Sequence, residues 1–454
     1  MLQLLENKMA LSTTYKSILG IAFPIMLGSA AQQIIGLSDS VFLFHYSELD
    51  FAAIALVSVF YLIIASIGYG FSKGGQIIIA RKLGEGDTRG ISKSFYTLLI
   101  FEMVLALVMF LFLRYGTDWF LKIFIKSPRI YEHSLLYIKI RAFGVFLSYA
   151  GISIIALYTG ISRTKFIIYD SLILVISNIF LNYIFIFGKF GAPEMGIKGA
   201  ALASVMAEGI GFIVFLVYMI WGGSAKKWGL YSIPKLDFSS LSSILRLSSP
   251  IVAQAVISLG SWFIFFSLIE IYLGEKALAI SNLIRNVSLI LTIPSWGFSS
   301  AINSLVSQLI GMRKRMGVMP IIYKTAYLNL IITMTLTLPV VFFPSFTLYP
   351  IFGGENMTLI HDARYVFFVL LVILILASVG MVIFNGLSGT GASAYGMKIQ
   401  AMVSVVYLIY IFIILKYFKV SVEVAWTAEI VYWVLVMTLS LRYMFTKRWH
   451  GKSL

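Results

Sequence analysis

The sequence predicts an all-α polytopic membrane protein with about twelve transmembrane helices, arranged as two six-helix halves of the same design. Hydrophobic residues make up 60% of the 454 residues and charged residues only 12%, whereas soluble domains carry about 25% charged residues. The apolar runs reach the roughly 20 residues that a helix needs to cross a bilayer. Their apolar character is continuous, which differs from the alternation of a β-barrel strand.

The apolar runs divide the chain into spans with mostly short connections. We place them at roughly 17–43, 51–74, 92–114, 135–160, 166–188, 197–221, 246–272, 277–304, 321–344, 363–387, 396–416 and 422–446. The longest polar stretch near the middle, residues 222–240, has the Gly, Ser, Pro and Lys content that is typical of a linker. We therefore predict an N-terminal lobe at 1–221, a cytoplasmic linker at 222–245 and a C-terminal lobe at 246–454.

An internal repeat supports the division into halves. FPIMLGSAAQQ around Pro24 matches SPIVAQAVISL around Pro250. Three further pairs of segments share nearly the same separation along the chain: GFSKGGQIIIARKLG from Gly70 with GFSSAINSLVSQLIG from Gly297, GISRT from Gly160 with GLSGT from Gly386, and LNYIFIF from Leu181 with LIYIFII from Leu408. Halves with an even number of spans have the same membrane orientation, as in transporters built from parallel repeats.

The net charge of +16 is explained by basic connections rather than by nucleic-acid binding. Basic residues cluster in alternate connections, at Arg81, Lys82, Arg89 and Lys93, at Arg163 and Lys165, at Lys226, Lys227 and Lys235, at Arg313, Lys314 and Arg315, and in the tail at Lys447, Arg448 and Lys452. The positive-inside rule places these connections and both termini in the cytoplasm. We expect a multi-pass protein of the bacterial inner (plasma) membrane that contacts lipid and no nucleic acid.

One carboxylate stands inside a predicted span. Asp39 lies in a run from Ile18 to Phe44 that holds no other charged residue. An acid at the centre of a membrane helix costs about 2.5–3.5 kcal/mol on insertion scales, so it is a functional candidate by default, against the alternative of a hydrogen-bonded structural acid. Asn178 and Asn182 are four residues apart and share one helix face. With Asp39, these amides would supply oxygen ligands for a small cation or hydrogen-bond partners for a carboxyl group.

The repeat indicates that polar groups are concentrated in the N-terminal half. At the repeat spacing, Asp39 has an apolar counterpart near Phe265. Asn178 and Asn182 pair with Val405 and Ile409.

Several classes of site are not expected. The chain has 0 cysteines, which excludes disulfides and thiol chemistry. Its four histidines, His45, His133, His361 and His450, are too far apart for a predicted metal site. Residues 386–396 are glycine-rich but lack the Walker lysine, so we expect no nucleotide site and infer that an ion gradient is the driving force. We also expect no cofactor and no enzymatic activity.

Several segments together resemble the multidrug and toxic compound extrusion (MATE) family of cation-coupled antiporters, over nearly the whole chain. They are LSDSVFLF, GYGFSKGGQIIIARKLGEGD, SNIFLNYIFIFG, MGIKGAALAS and GFSSAINSLVSQLIG. The resemblance implies two pseudo-symmetric six-helix lobes around a central cavity that opens alternately to each side. It places the coupling proton or sodium at Asp39, which matches the first-helix acid of the family.

The resemblance also assigns the remaining coupling candidates. Asn178 matches the fifth-helix asparagine, and Asn182 stands where the family often has aspartate. Ser204 and the main chain near Ala200 fall on the sixth-helix ion contacts. The acids that some members carry in the seventh and tenth helices are missing, which argues against coupling through the C-terminal lobe.

Other polar residues are weaker candidates. Five amides are candidates for lining a cavity, against the alternative of packing between helices: Gln33, Gln76, Gln254, Asn282 and Asn303. Glu102 and Glu429 also lie in or near spans, and we interpret both as structural.

These observations favour a secondary antiporter, expected to be a monomer, that exports amphipathic organic cations in exchange for protons or sodium. The loss of an acid at Asn182 favours protons; the sodium alternative uses Asp39 and Asn178. The alternatives are a lipid-linked oligosaccharide flippase of the related superfamily and a non-transporting membrane receptor or assembly factor. The interior acid and amides disfavour an anionic headgroup, and the absence of an extramembrane domain disfavours a receptor.

Overall fold

The computed structural model describes residues 13–221, 224–231, 238–352 and 357–451. These residues form helices joined by turns, and none of them is in a β-strand. The helices are α1 Tyr15–Tyr46, α2 Glu48–Glu85, α3 Thr88–Leu111, α4 Thr117–Phe124, α5 Pro128–Arg141, α6 Gly144–Gly160, α7 Phe166–Phe187, α8 Ile197–Trp221, α9 Ser224–Lys227, α10 Phe238–Leu291, α11 Ile293–Gly311, α12 Val318–Phe342, α13 Pro344–Phe352, α14 Met357–Asp362, α15 Arg364–Gly389, α16 Ser393–Phe418 and α17 Val422–Phe445.

The predicted all-α membrane fold is confirmed. Within the described ranges, 10 helices are long and apolar enough to cross a membrane, or 11 if the bent pair α5 and α6 is one span. The 54-residue α10 is broken at Gly274, whose φ of 80° and ψ of −176° lie outside the helical region. Glycine lacks the Cβ that makes such a conformation costly. The two arms of α10 thus account for two of the predicted spans, and the chain is a multi-pass membrane protein.

The chain divides into two compact units. The first, called the N-terminal unit, is Leu27–Val252; the second, called the C-terminal unit, joins the described residues up to Met26 to those from Ala253 onward. The two dividing points, after Met26 and after Val252, are equivalent in the repeat, because each follows the repeated proline by two positions. Each half therefore begins with helical turns that pack in the unit of the other half. The linker prediction at 222–245 falls partly outside the described residues, as do Lys235 and Lys452.

Glycines permit these first turns to pack closely. In the N-terminal unit, a Cβ on Gly70 of α2 would lie 2.7 Å from Val252 Cγ2 of α10. In the C-terminal unit, a Cβ on Gly297 of α11 would lie 2.9 Å from the main-chain oxygen of Ala22 of α1. Both distances are shorter than van der Waals contact, so these crossings require glycine.

A buried aspartate fixes the helix ends next to the candidate site. Asp50 of α2 is 2% exposed and accepts a 2.9 Å hydrogen bond from Ile197 N at the start of α8. Its other oxygen contacts His133 Nδ1 of α5. A carboxylate at a helix N-terminus satisfies a free N–H and interacts favourably with the helix dipole. Asp50 therefore joins three helices of the N-terminal unit, and the sequence reasoning did not identify it.

The structure corrects the repeat register in the last two spans of each half. Asn178 and Asn182 are fully buried, whereas their expected counterparts Val405 and Ile409 are 57% and 54% exposed. Moving the register back by two positions pairs the asparagines instead with Val403 and Tyr407, which are buried. The error arose because apolar letters match easily in such helices, although a shift of two positions turns a side chain by about 200°.

Candidate functional site

Asp39 lies at the centre of a hydrogen-bond network between three helices of the N-terminal unit. Its Oδ1 accepts hydrogen bonds from Asn182 Nδ2 at 2.6 Å and from Asn178 Nδ2 at 3.2 Å. Its Oδ2 accepts a hydrogen bond from Ser204 Oγ at 3.0 Å. The structure thus brings together four of the residues predicted from sequence, although 139 to 165 positions separate Asp39 from its partners.

Helical spacing explains how these side chains meet. Asn178 and Asn182 lie one turn apart on α7 and present their amides to α1, where Asp39 lies. Ser204 faces the same carboxylate from α8, and Ala200 lies buried one turn before it. Asp39 is 6% exposed and both asparagines are fully buried. Most polar groups that are buried to this extent are hydrogen-bonded.

The asparagines also contact each other and leave one acceptor without a partner. Asn182 Nδ2 donates to Asn178 Oδ1 at 3.2 Å, while Asn178 Nδ2 also approaches Ser204 Oγ at 3.2 Å. Asn182 Oδ1 is buried and has no hydrogen-bond partner in the described part of the chain. A small hard cation prefers oxygen ligands. Asp39 and the two asparagines are therefore the residues that could hold sodium, if both amides turned their oxygens toward the carboxylate.

A buried ion pair beside this network was missed by the sequence reasoning. Arg141, at the end of α5, donates from Nη1 to Glu208 Oε2 at 2.8 Å and from Nη2 to Glu208 Oε1 at 2.5 Å. The guanidinium also lies over the Tyr61 ring, 4.2 Å from its centroid. Glu208 follows Ser204 by four residues on α8, so the two share a face. The four-residue spacing of Ser204 and Glu208 was the signal in the sequence that Glu208 lies near the site, but its partner Arg141 is remote in sequence.

The five amides predicted to line a cavity are dispersed. Gln33 and Asn282 are half-buried, and Gln76 and Gln254 are buried. Gln254 donates to the main-chain oxygen of Ser393 at 3.0 Å. Asn303 donates to Asn385 Oδ1 at 3.3 Å. A cavity in the C-terminal unit is lined by other residues, so a role for these amides stays a prediction.

A family model matches both halves of the chain. The MatE model covers residues 24–184 and 250–417, two segments that begin at the repeated prolines. The chain belongs to the MatE family. The predicted resemblance is thereby confirmed.

Relatives of this MatE-family chain match between about two thirds and nearly all of its length. A probable multidrug resistance protein NorM from Thermotoga maritima is 26% identical over 449 residues, or 96% of this chain and 94% of that protein. A probable multidrug resistance protein YpnP from Bacillus subtilis is 24% identical over 303 residues, or 65% of each chain.

Solved structures share the fold. An outward-facing multidrug resistance MATE family transporter of the MOP superfamily matches with a TM-score of 0.86 at 18% identity, covering 96% of this chain and 97% of that one. A MOP superfamily transporter from Pyrococcus furiosus matches with a TM-score of 0.85 at 18% identity, with the same coverage.

Proposed function

We propose that this chain is a secondary active antiporter that exports amphipathic organic cations in exchange for protons, or sodium, through Asp39. One observation carries the proposal: the buried carboxylate accepts hydrogen bonds only from the neutral groups of Asn178, Asn182 and Ser204 among the described residues. Arg141 acts on Asp39 electrostatically, but Arg141 is already paired with Glu208. Hydrogen bonds satisfy the oxygens and leave the charge uncompensated, and an uncompensated buried charge is costly.

Uptake of a proton or cation removes that cost. When Asp39 is ionised, it favours a cationic substrate; when it is protonated or ion-bound, it does not. This difference is sufficient for exchange, because the coupling free energy between ion and substrate must be reciprocal. One carboxylate supports a one-for-one exchange. The designation of the relatives as multidrug resistance proteins supports drug-like substrates.

The hydrogen-bond directions favour protons over sodium. Among the residues that the structure describes, Asp39 Oδ2 has a single partner, the Ser204 hydroxyl, which can either donate or accept a hydrogen bond. Protonation of Oδ2 requires only that this hydroxyl reverse its role. Sodium binding instead requires the asparagine side chains to turn oxygens toward Asp39, because both now present Nδ2. The smaller rearrangement supports the proton.

We infer the membrane orientation from the basic connections. Arg81 and Lys82 close α2, Arg163 and Lys165 precede α7, and Arg313 follows α11. The positive-inside rule assigns these connections to the cytoplasm, and both termini then lie on the cytoplasmic side. We assign the protein to the bacterial inner membrane. Fusion of a fluorescent protein to the C-terminus tests this orientation, because the reporter folds on the cytoplasmic side alone.

The function is tested by transport in inverted vesicles. We would compare uptake of ethidium by wild type, Asp39→Asn and Glu102→Gln under separately imposed proton and sodium gradients. Glu102 is the matched control, because it is a fully buried acid of the same unit that accepts a hydrogen bond from Ser72 Oγ at 2.9 Å. Glutamine retains that acceptor.

The expected result is gradient-driven transport by wild type and Glu102→Gln and its loss in Asp39→Asn, and the active gradient identifies the ion. Equal transport by Asp39→Asn and wild type would show that Asp39 is structural. Failure of the wild type to move any cation under either gradient would refute the antiporter proposal.

A further inference from the structure

The C-terminal unit contains a cavity that the Asp39 site does not use. Its volume is about 240 Å³, and it is lined by residues of α10, α11, α15, α16 and α17. Glu429 is the one charged residue among the described residues that line it. Six aromatic side chains share the lining, namely Trp262, Trp296, Tyr407, Trp426, Tyr432 and Trp433.

Glu429 is held in a defined orientation. It is 6% exposed, and its Oε1 accepts hydrogen bonds from Trp262 Nε1 at 2.9 Å and from Tyr407 OH at 3.0 Å. Both bonds end on the same oxygen, so Oε2 is the oxygen available to a ligand. The two donors are neutral, and no lysine, arginine or histidine is among the described residues around the cavity. The negative charge of this carboxylate therefore lacks a resident cation.

The corrected repeat gives this acid a counterpart in the N-terminal unit. In that register, Glu429 of α17 corresponds to Ser204 of α8, and Tyr407 of α16 to Asn182 of α7. All four positions are buried. The C-terminal unit thus carries a carboxylate where the N-terminal unit has Ser204, and an aromatic ring where it has the Asn182 amide.

The polar ends of two of these rings are bonded to residues outside the lining of the cavity. Trp426 Nε1 donates to Ser281 Oγ at 3.0 Å, and Tyr432 OH donates to Gln400 Oε1 at 2.8 Å. These polar tips are already satisfied. An aromatic face attracts a cation electrostatically, by about 0.5–2 kcal/mol or more per ring when water is excluded.

We propose that this cavity binds a small methylated ammonium ion, with Glu429 as its counter-charge and the tryptophan and tyrosine rings around its methyl groups. The cavity is below the roughly 300–1,000 Å³ of drug-sized sites, so it fits a small ion rather than a multidrug substrate. An inorganic cation is less suited, because it prefers several oxygen ligands, whereas the lining is mainly aromatic and aliphatic and Glu429 is its one carboxylate among the described residues. The inference is independent of gradient-driven transport through Asp39.

Intrinsic fluorescence provides the test, because four of the eight tryptophans of the chain line the cavity. We would titrate the purified full-length protein with choline at constant ionic strength, and with its neutral isostere 3,3-dimethyl-1-butanol. The variant is Glu429→Gln, which keeps an acceptor for Trp262 and Tyr407 and removes the charge. Glu102→Gln, at a fully buried acid of the N-terminal unit, is the control.

The expected result is a saturable fluorescence change with choline in wild type and Glu102→Gln, with affinity weakened at least about tenfold in Glu429→Gln because the counter-charge is lost. The neutral alcohol should bind at least about tenfold more weakly to wild type, a comparison that needs no variant. Equal binding of choline and the alcohol, unchanged affinity in Glu429→Gln, or a saturable response to sodium chloride in place of choline would each overturn the proposal.

Discussion

Neutralising Glu208 tests whether the Arg141–Glu208 pair is a buried ion pair. The side chains are 10% and 17% exposed, and two N–O distances of 2.8 and 2.5 Å join them. Removing one partner of a buried pair costs about 3–5 kcal/mol, because the other charge stays buried without compensation. Glutamine keeps one acceptor oxygen, so we expect Glu208→Gln to cost about 3 kcal/mol of unfolding free energy, at the lower end of that range.

The double variant Arg141→Met with Glu208→Leu separates pairing from packing. Replacing both charges by apolar groups is often neutral or stabilising. Loss of the cation–π contact with Tyr61 costs about 0.5–2 kcal/mol. We therefore expect the double variant to be more stable than Glu208→Gln.

The assay is equilibrium unfolding in mixed micelles, followed by circular dichroism. The matched control is Glu85→Gln, which removes the charge of an exposed pair with Lys82 at 2.9 Å and should leave the unfolding curve unchanged. A cost below about 1 kcal/mol for Glu208→Gln, or additive effects of the Arg141 and Glu208 substitutions, would refute the buried-pair reasoning.

Three further predictions follow from individual contacts. Gly144→Ala should destabilise the protein in the same unfolding assay, because a Cβ there would overlap Arg141 Nη1; stability equal to wild type would mean that the guanidinium has room to move. Ser204→Ala removes a hydrogen bond to a charged group, worth about 1.5–3 kcal/mol, and should slow gradient-driven export by roughly tenfold or more at equal protein level; an unchanged initial rate would contradict the role of Oδ2. A hydrogen bond from Lys276, 2.7 Å away, lowers the pKa of Asp362 below its usual 3.8. The contribution of this ion pair to stability is therefore complete above pH 3.8 and is lost as the pH falls further. The melting temperatures of Asp362→Asn and wild type should converge in acid, and a difference that stays constant with pH would contradict this prediction.

The transmembrane architecture could be predicted because its causes are local. Each span depends on about 20 consecutive residues whose transfer into lipid is favourable, whatever the remainder of the chain does. The predicted spans accordingly coincide with the helices and with the two arms of α10 around Gly274. The association of Asp39 with Asn178 and Asn182 could also be anticipated, because an isolated intramembrane acid requires polar partners and these amides share a face.

The rotation of each helix and the long-range pairs were decided by the tertiary structure. Apolar letters are nearly interchangeable along a membrane helix, so sequence matching placed Asn182 opposite Ile409, whereas burial places it opposite Tyr407. Glu429 could be located from the sequence, but not its partner Trp262, which is 167 residues away. Hydropathy along one segment determines whether that segment crosses the membrane. The direction in which a carboxylate points, and what it meets there, depends on the packing of helices that are distant in sequence.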